Sequence, residues 1–345
     1  TPLATHFEGK RFNSPNDVIK RRDGVILFTD PPYGLAGRND SPIKELDFNG
    51  IYRIDTDGSI HLLDKEMTFP NGLSLSPDEK RLAVTVLSPS GAESDIWIYP
   101  TADGPPTRFT FDRSIELASV WSPDGRTIAF GSRRAPEPQI VLKPIGGGTE
   151  QPLQLSPPAG SGRAAFGPGR SPSDWSRDGK ALLLFLAGEL WHTAPGGGGG
   201  VFRWTPSPDT FVINGQFDRT GRWVAYQSGE SGQLEVYVAA FPGSGVKRQV
   251  STGGGVLPRW RADGRELYYL TPDATLMAAT VTSTESTFDV TAIQPLFKTR
   301  RKLRQNGARA PYDVTANGRR FLVNTRPDES GPAPLTIVLN WPGGL

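Results

Sequence analysis

The sequence predicts an all-β fold, a β-propeller of seven four-stranded blades, with six blades as the alternative. Turns of the Ser-Pro-Asp-Gly type recur seven times between Asp23 and Asn317, at a mean spacing of about 49 residues. That spacing fits one four-stranded blade together with its loops. No stretch of helical length keeps apolar residues at helical spacing without glycine or proline, so helices are not expected.

The seven units share one order of elements. An apolar strand precedes each turn and a second apolar strand follows it, as in SVWSPDGRTIAF and PRWRADGRELYYL. A third apolar strand comes next, and most units add a fourth with polar flanks. The turn residues are Asp23, Asp78, Asp124, Asp178, Thr220, Asp263 and Asn317.

The last unit has three predicted strands before Leu345, so its fourth strand must come from elsewhere. The N-terminal segment TPLATHF is the expected fourth strand. It would close the ring and remove the open sheet edges that otherwise promote aggregation. We therefore expect residues 1–345 to form a single propeller domain.

Composition excludes several classes of function. Hydrophobic residues make up 36% of the 345 residues, which is enough for a sizeable core. The net charge is +2 and no basic run exceeds three residues, so nucleic acid is not an expected partner. No apolar run is long enough to span a membrane. The absence of cysteine excludes disulfides, thiolate zinc sites and cysteine nucleophiles.

The compartment is left open by the sequence. No signal peptide is recognisable after Thr1, although processing could have removed one. A cysteine-free chain fits either a bacterial cytoplasm or a periplasm. The expectation is therefore a bacterial protein in one of these two compartments.

The repeat register brings three polar residues to one mouth of the predicted channel. Asn16 and Asn71 each lie seven residues before a turn residue, and Glu116 lies one step earlier in the third unit. These positions begin the innermost strands, which line the channel of a propeller. Amide and carboxylate oxygens suit Ca2+ better than Zn2+, which prefers His and Cys ligands. Asn16, Asn71 and Glu116 are therefore the candidate metal ligands.

Structural roles are the alternative for the same residues. An asparagine before Gly or Asp is common at strand entries, because its side chain satisfies local backbone groups. Glu116 has no motif around it, and a solvated carboxylate at the rim is the alternative there.

Acidic residues near this mouth are candidates for a general base. In metal-assisted hydrolysis a cation polarises a carbonyl or phosphoryl oxygen while a carboxylate activates water. Asp17, Asp30 and Glu116 are placed to act as that base. Asp30 also opens a long polar loop that runs to Asn49. This loop is either a substrate-binding element or solvated surface.

Nucleophilic catalysis is not predicted. Of the three histidines, His6 and His61 fall on predicted fourth strands and His192 on a third strand, away from the channel mouth. No Gly-x-Ser-x-Gly elbow occurs in a strand-to-helix setting. The run PGGGGG at 195–200 is expected to be a hairpin tip, because no lysine or helix follows it as in a phosphate-binding loop.

Three charged residues share another register position, four residues before the turn. They are Asp174, Arg259 and Asp313. Ion pairs that join neighbouring blades are the structural explanation, and a functional ring is the alternative.

Two parts of the sequence resemble two propeller families. Residues 1–110 resemble the gluconolactonase, regucalcin and luciferin-regenerating enzyme family, through FEGKRFNSPNDV, FTDPPYGL, FNGIYRID and FPNGLSLSPDEKRLAV. Residues 111–345 resemble TolB-type propeller repeats, through SVWSPDGRTIAF, SDWSRDG and YDVTANGRRFLVNT. The sequence is therefore similar to a chimera of the two families.

Each resemblance implies a function. The first implies a divalent metal in the central channel and hydrolysis of lactones or related esters. The opening blade of that family, which supplies a glutamate ligand, has no counterpart here, and Glu116 is the expected replacement. The expected function is a Ca2+-dependent hydrolase of lactones or small esters, with phosphotriesters as further substrates. The TolB resemblance implies the alternative, a non-catalytic propeller that binds a protein or peptide.

Overall fold

The computed structural model describes residues 2–155, 170–196, 202–203, 211–243, 245–299, 312–315, 317–324 and 335–338. These residues form thirty β-strands and one short 3-10 helix, Arg38–Asp40. The all-β propeller class is thereby confirmed. Within the described residues no helix is long and apolar enough to cross a membrane. Residues 197–200 of the predicted glycine hairpin tip lie outside the described part.

The chain divides into two compact units. Unit 1 comprises Thr1–Glu116, Thr299–Lys302 and Pro311–Leu345. Unit 2 comprises Leu117–Lys298 and Leu303–Ala310. The expectation of one domain over residues 1–345 stays a prediction.

Unit 1 contains three four-stranded antiparallel sheets and a short hairpin. The hairpin pairs β2 (His6–Phe7) with β3 (Lys10–Arg11). The first sheet contains β4 (Val18–Lys20), β5 (Ile26–Asp30), β6 (Gly50–Ile54) and β7 (Ile60–Asp64). The second contains β8 (Phe69–Leu75), β9 (Arg81–Leu87), β10 (Ser94–Pro100) and β11 (Thr107–Arg108). The third contains β28 (Tyr312–Val314), β29 (Phe321–Asn324), β30 (Leu335–Val338) and β1 (Pro2–Ala4).

Unit 2 is made of four sheets with the same strand order. One contains β12 (Glu116–Trp121), β13 (Thr127–Ser132), β14 (Gln139–Pro144) and β15 (Gln151–Pro152). The next contains β16 (Arg170–Trp175), β17 (Leu182–Leu186), β18 (Glu189–Thr193) and β19 (Phe202–Arg203). The third contains β20 (Val212–Phe217), β21 (Trp223–Ser228), β22 (Glu235–Ala240) and β23 (Lys247–Gln249). The last contains β24 (Val256–Trp260), β25 (Glu266–Leu270), β26 (Thr275–Ser283) and β27 (Phe288–Lys298).

The N-terminal strand completes the last sheet, as the sequence predicts. Pro2 of β1 pairs with Thr336 of β30, and Ala4 pairs with Leu335. The predicted strand is too long, because His6 lies on the β2–β3 hairpin and not on a fourth strand. The described residues contain seven four-stranded sheets, and the number of blades in the ring stays a prediction.

Side-chain chemistry within each turn explains why the turn sequence recurs. The serine hydroxyl donates to the aspartate two residues later, at 2.5 Å from Ser76 to Asp78 and 2.6 Å from Ser122 to Asp124. The same aspartate accepts a backbone N–H two residues further on, as from Lys80 at 3.2 Å. These local bonds close the turn and set the register of the two strands that it joins.

An aromatic cluster anchors the segment that leads into the first sheet. Phe12 meets Phe28 edge to face with ring centroids 5.2 Å apart, and Phe28 stacks on Tyr52 at 5.0 Å. All three rings are buried in one core cluster of unit 1. Such pairs add to the stabilisation that comes from the buried area. This packing fixes the position of Phe12, and residues 13–17 follow directly after it.

Register irregularities interrupt the first strand of four sheets at similar places. They lie between Pro70 and Leu73, Pro172 and Asp174, Ile213 and Gln216, and Val256 and Arg259. Two of them include non-glycine residues with positive φ, Asn214 at 58° and Leu257 at 59°. A bulge turns side chains out of the regular ladder and frees backbone groups for other partners.

Candidate functional site

Asn16 and Asn71 are in direct contact in unit 1. Asn16 Nδ2 donates to Asn71 Oδ1 at 2.6 Å. Asn16 lies just before β4, Asn71 lies within β8, and both side chains are partly exposed. Half a turn of the Asn16 amide exchanges its nitrogen and oxygen at this contact. Two amide oxygens can therefore converge on one point at this place.

Asp17 joins this pair through the backbone of β8. Its Oδ2 accepts the N–H of Leu73 at 3.2 Å, just after the register irregularity that follows Pro70. The segment itself is fixed against β5, because Asn16 N donates to Thr29 O at 2.8 Å and Thr29 N donates to Asp17 O at 3.0 Å. The structure therefore groups Asn16, Asp17 and Asn71 as one cluster, which we call the Asn16–Asn71 cluster.

The same aspartate contact recurs elsewhere in each unit. In unit 1, Asp313 Oδ2 accepts the N–H of Lys20 at 3.2 Å. In unit 2, Asp174 Oδ2 accepts the N–H of Phe217 at 2.7 Å, and burial raises the pKa of Asp174 to about 6. These carboxylates thus join neighbouring sheets through backbone N–H groups, whereas the sequence suggested ion pairs. The positive charge of Arg259 opposes the effect of burial and lowers the pKa of Asp174.

Asp30 is fully buried at the end of β5. Its Oδ2 accepts the N–H of Asn13 at 2.8 Å, and its Oδ1 accepts the N–H of Ser14 at 2.7 Å. Burial raises the pKa of Asp30 to about 7, against the opposing effects of these two hydrogen bonds and of the charge on Lys44. Both oxygens therefore hold the segment that leads to Asn16.

Glu116 is also fully buried, at the start of β12. Its Oε1 accepts the hydroxyl of Ser114 at 2.8 Å. The hydroxyl of Ser94 accepts the N–H of Glu116 at 2.9 Å and donates to its carbonyl oxygen at 2.6 Å. The sequence alternative of a solvated rim carboxylate is therefore wrong, because the side chain has no exposed surface. Its role as a metal ligand stays a prediction.

Tyr33 belongs to the long polar loop that the sequence offers as a substrate-binding element, and the structure places it beside the cluster. Its ring stacks on Phe69, with centroids 6.0 Å apart and planes 14° apart. Burial raises the pKa of Tyr33 to about 12, the negative charge of Asp17 acts in the same direction, and Asn71 opposes it.

The long loop after Asp30 borders a pocket of about 480 Å3. Ser41, Lys44, Phe48, Asn49 and Thr68 contribute to its lining. Lys44 Nζ donates to the carbonyl oxygen of Phe48 at 3.1 Å, and burial lowers its pKa. A pocket of this size can hold a small organic ligand. Asn16, Asp17 and Asn71 are not among its lining residues.

The donor groups of the cluster suit a hard cation. Within the described residues, no three His, Cys, Asp or Glu side chains form a group that could hold a metal ion. The cluster offers instead the two amide oxygens of Asn16 and Asn71, and the carboxylate of Asp17 lies beside them. Ca2+ accepts such ligands and completes its shell with water, whereas Zn2+ prefers nitrogen and sulfur. The residues thus fit part of a Ca2+ shell.

Comparison with known proteins supports the resemblance of the N-terminal part. Residues 1–128 match the family described as "SMP-30/Gluconolactonase/LRE-like region". A gluconolactonase from Zymomonas mobilis is 44% identical over 134 residues, which are 36% of this chain and 36% of that protein. The chain spans about a third or less of the length of the curated relatives that it matches. The predicted likeness of residues 1–110 is confirmed, and the matched part contains the Asn16–Asn71 cluster.

Solved structures extend the likeness of fold to nearly the whole chain. TolB from Acinetobacter baumannii matches with a TM-score of 0.51 and 16% identity, over 93% of this chain and 75% of that chain. Oligogalacturonate lyase from Vibrio parahaemolyticus matches with a TM-score of 0.65 and 13% identity, over 96% and 90% of the two chains. At these identities the likeness shows the fold alone. The predicted similarity to TolB is therefore confirmed at the level of the fold.

Proposed function

We propose that this protein is a Ca2+-dependent hydrolase of lactones or small esters, with its active centre at the Asn16–Asn71 cluster. The observation that carries the proposal is the contact of the two asparagine amides inside the segment that matches the gluconolactonase-like family. Phosphotriesters are proposed as further substrates, because the same polarisation applies to a phosphoryl oxygen.

Each residue of the cluster has a proposed role, and so does Glu116. Asn16 and Asn71 would hold Ca2+ through their amide oxygens, and Glu116 is the proposed carboxylate ligand. Bound Ca2+ supplies polarisation of the substrate carbonyl. Asp17 accepts a proton from the attacking water, whose oxygen bonds to the carbonyl carbon. The ring C–O bond then breaks and the leaving oxygen takes up a proton, so that lactone and water yield a hydroxy acid.

Asp17 is the preferred base among the three predicted carboxylates. Both oxygens of Asp30 are engaged by backbone N–H groups, and Glu116 is fully buried. Asp17 is partly exposed and lies next to the two asparagines. A base must reach the water that it activates, which favours the accessible carboxylate.

A non-catalytic module that binds a protein or peptide is the alternative function. It is supported by the fold likeness to TolB, which does not identify a ligand. A fold of this kind hosts many functions, so the side chains of the cluster weigh more than the architecture.

Metal analysis of the purified protein, followed by a panel of lactones and aryl esters, tests the proposal. We expect bound calcium, loss of hydrolysis in EDTA and recovery when Ca2+ is added. Asn16→Ala should lose both calcium and activity, whereas Asp57→Ala, in the exposed turn between β6 and β7, should keep both. A protein that binds no calcium and hydrolyses no member of the panel would contradict the proposal and favour the binding module.

A further inference from the structure

Tyr33 stands on a turn that two hydrogen bonds of Ser14 hold in place. Ser14 Oγ donates to Pro31 O at 2.8 Å and accepts the N–H of Gly34 at 2.8 Å. A Cβ at Gly34 would lie 2.8 Å from Ser14 Cβ, so glycine permits this close approach. Ser14 is itself held by Asp30 through its backbone N–H. The position of Tyr33 is therefore set by the segment that also positions Asn16.

The ring of Tyr33 lies against the strand that carries Asn71. It stacks on Phe69, and Phe69 and Asn71 are two residues apart on β8. The hydroxyl is close enough to Asn71 and to Asp17 for both to act on its ionisation.

The O–H of Tyr33 is a buried donor that has no acceptor of ordinary hydrogen-bond geometry among the described residues. Asn71 is near enough to favour the ionised form of this hydroxyl. Burying a donor without an acceptor costs stability, so such groups in native proteins call for an explanation. An oxygen atom of a bound molecule would satisfy such a donor.

We propose that Tyr33 is a further catalytic residue, whose hydroxyl donates a hydrogen bond to the carbonyl oxygen of the bound lactone or ester. This inference rests on the proposed hydrolase function. When the oxygen of water adds to the carbonyl carbon, the carbonyl oxygen gains negative charge. A fixed donor stabilises that charge more than the neutral ground state, so the effect appears in kcat.

Tyr33→Phe removes the hydroxyl and keeps the ring that stacks on Phe69. Loss of one such donor typically lowers kcat about 100-fold or more. We expect a fall of that size with a lactone substrate, KM within about threefold of the original value, and unchanged Ca2+ affinity in a calorimetric titration. The urea midpoint should not fall, because the variant loses a buried donor that had no acceptor of ordinary hydrogen-bond geometry among the described residues.

Tyr52→Phe is a matched control. The hydroxyl of Tyr52 is also buried without a hydrogen-bond partner among the described residues, but its ring lies in the aromatic cluster with Phe12 and Phe28. This variant should keep the original kcat, which shows that removal of a buried hydroxyl alone has no kinetic effect.

The remaining outcomes separate this inference from the proposed function. An unchanged kcat in Tyr33→Phe overturns the role of Tyr33, as does a loss of Ca2+ affinity that accounts for the loss of rate. If the original protein hydrolyses no lactone, the hydrolase proposal fails, and binding of a non-hydrolysed lactam analogue becomes the readout. Weaker lactam binding by Tyr33→Phe then supports the hydrogen bond to the carbonyl oxygen, and equal binding overturns it.

Discussion

Replacing Asp30 with asparagine should change how the stability of this protein depends on pH. The carboxyl group is fully buried and accepts the backbone N–H groups of Asn13 and Ser14 at 2.8 and 2.7 Å. Burial raises its pKa from the ordinary value of 3.8 to about 7. Asp30→Asn keeps the size of the side chain and removes the titrating proton.

The raised pKa of Asp30 determines whether its contribution to stability grows or falls with pH. The folded protein holds the proton of Asp30 to a higher pH than the unfolded chain does, so the contribution is fully present below about pH 4. It is lost as the pH rises through about 7. Between these limits the free energy of unfolding falls by about 1.4 kcal/mol for each pH unit, and by at most about 4 kcal/mol in total.

Urea unfolding of both proteins between pH 4.5 and pH 8, followed by tryptophan fluorescence, measures this effect. The free energy of unfolding of the original protein, relative to Asp30→Asn, should fall by about 1.4 kcal/mol per pH unit at mildly acidic pH and level off above neutrality. A constant cost of about 1 to 3 kcal/mol should accompany the substitution, because the amide NH2 group faces a backbone donor.

Asp57→Asn is the control for this experiment. Asp57 is exposed, and its hydrogen bonds from Ser59 lower its pKa, so its contribution has the opposite sign and should not fall as pH rises. If the difference in free energy of unfolding between the original protein and Asp30→Asn did not change with pH, Asp30 would not have a raised pKa in the folded protein. If hydrolysis were then lost in Asp30→Asn, Asp30 would again be a candidate for the base.

Three further predictions concern the metal, the closing strand and the contacts between sheets. Glu116→Gln should weaken Ca2+ binding in calorimetry more than Asn71→Ala, because it removes a charge as well as a donor; an unchanged affinity would leave Glu116 a structural residue. Deleting residues 1–4 should lower the free energy of unfolding by about 2 kcal/mol, since β30 loses its partner and Ala4 leaves the core; an unchanged urea midpoint would contradict this. Asp174→Ala should cost about 1 to 3 kcal/mol, because the N–H of Phe217 loses its acceptor, and equal stability in urea would argue against that contact.

The strand order and the turns could be predicted because their causes are local. Ser76 and Asp78 are two residues apart, and their hydrogen bond closes the turn without help from the rest of the chain. The repeat of this chemistry at regular spacing predicted the four-stranded sheets. The same regularity predicted that Asn16 and Asn71 share a register position, and the structure places their amides in contact.

The length of the closing strand and the environment of the carboxylates could not be predicted in this way. His6 leaves the predicted strand because residues 6–7 pair with residues 10–11. Asp30 was a candidate base by its position beside a loop, and its burial depends on the segment at Asn13 and Ser14 that packs against it. Burial of a charge depends on everything that surrounds it, and sequence spacing does not describe those surroundings.

Residue types at short or repeated spacing are sufficient to predict the all-β class, the places of the turns and the asparagine pair. The accessibility of each carboxylate, and the position of Tyr33 beside Asn16 and Asn71, follow from the packing of the folded chain. Asp17 meets Leu73 from 56 residues away along the chain, and Tyr33 reaches Asn71 through its stacking on Phe69. Contacts of this kind depend on how the chain packs in three dimensions, because they join residues that lie far apart in the sequence.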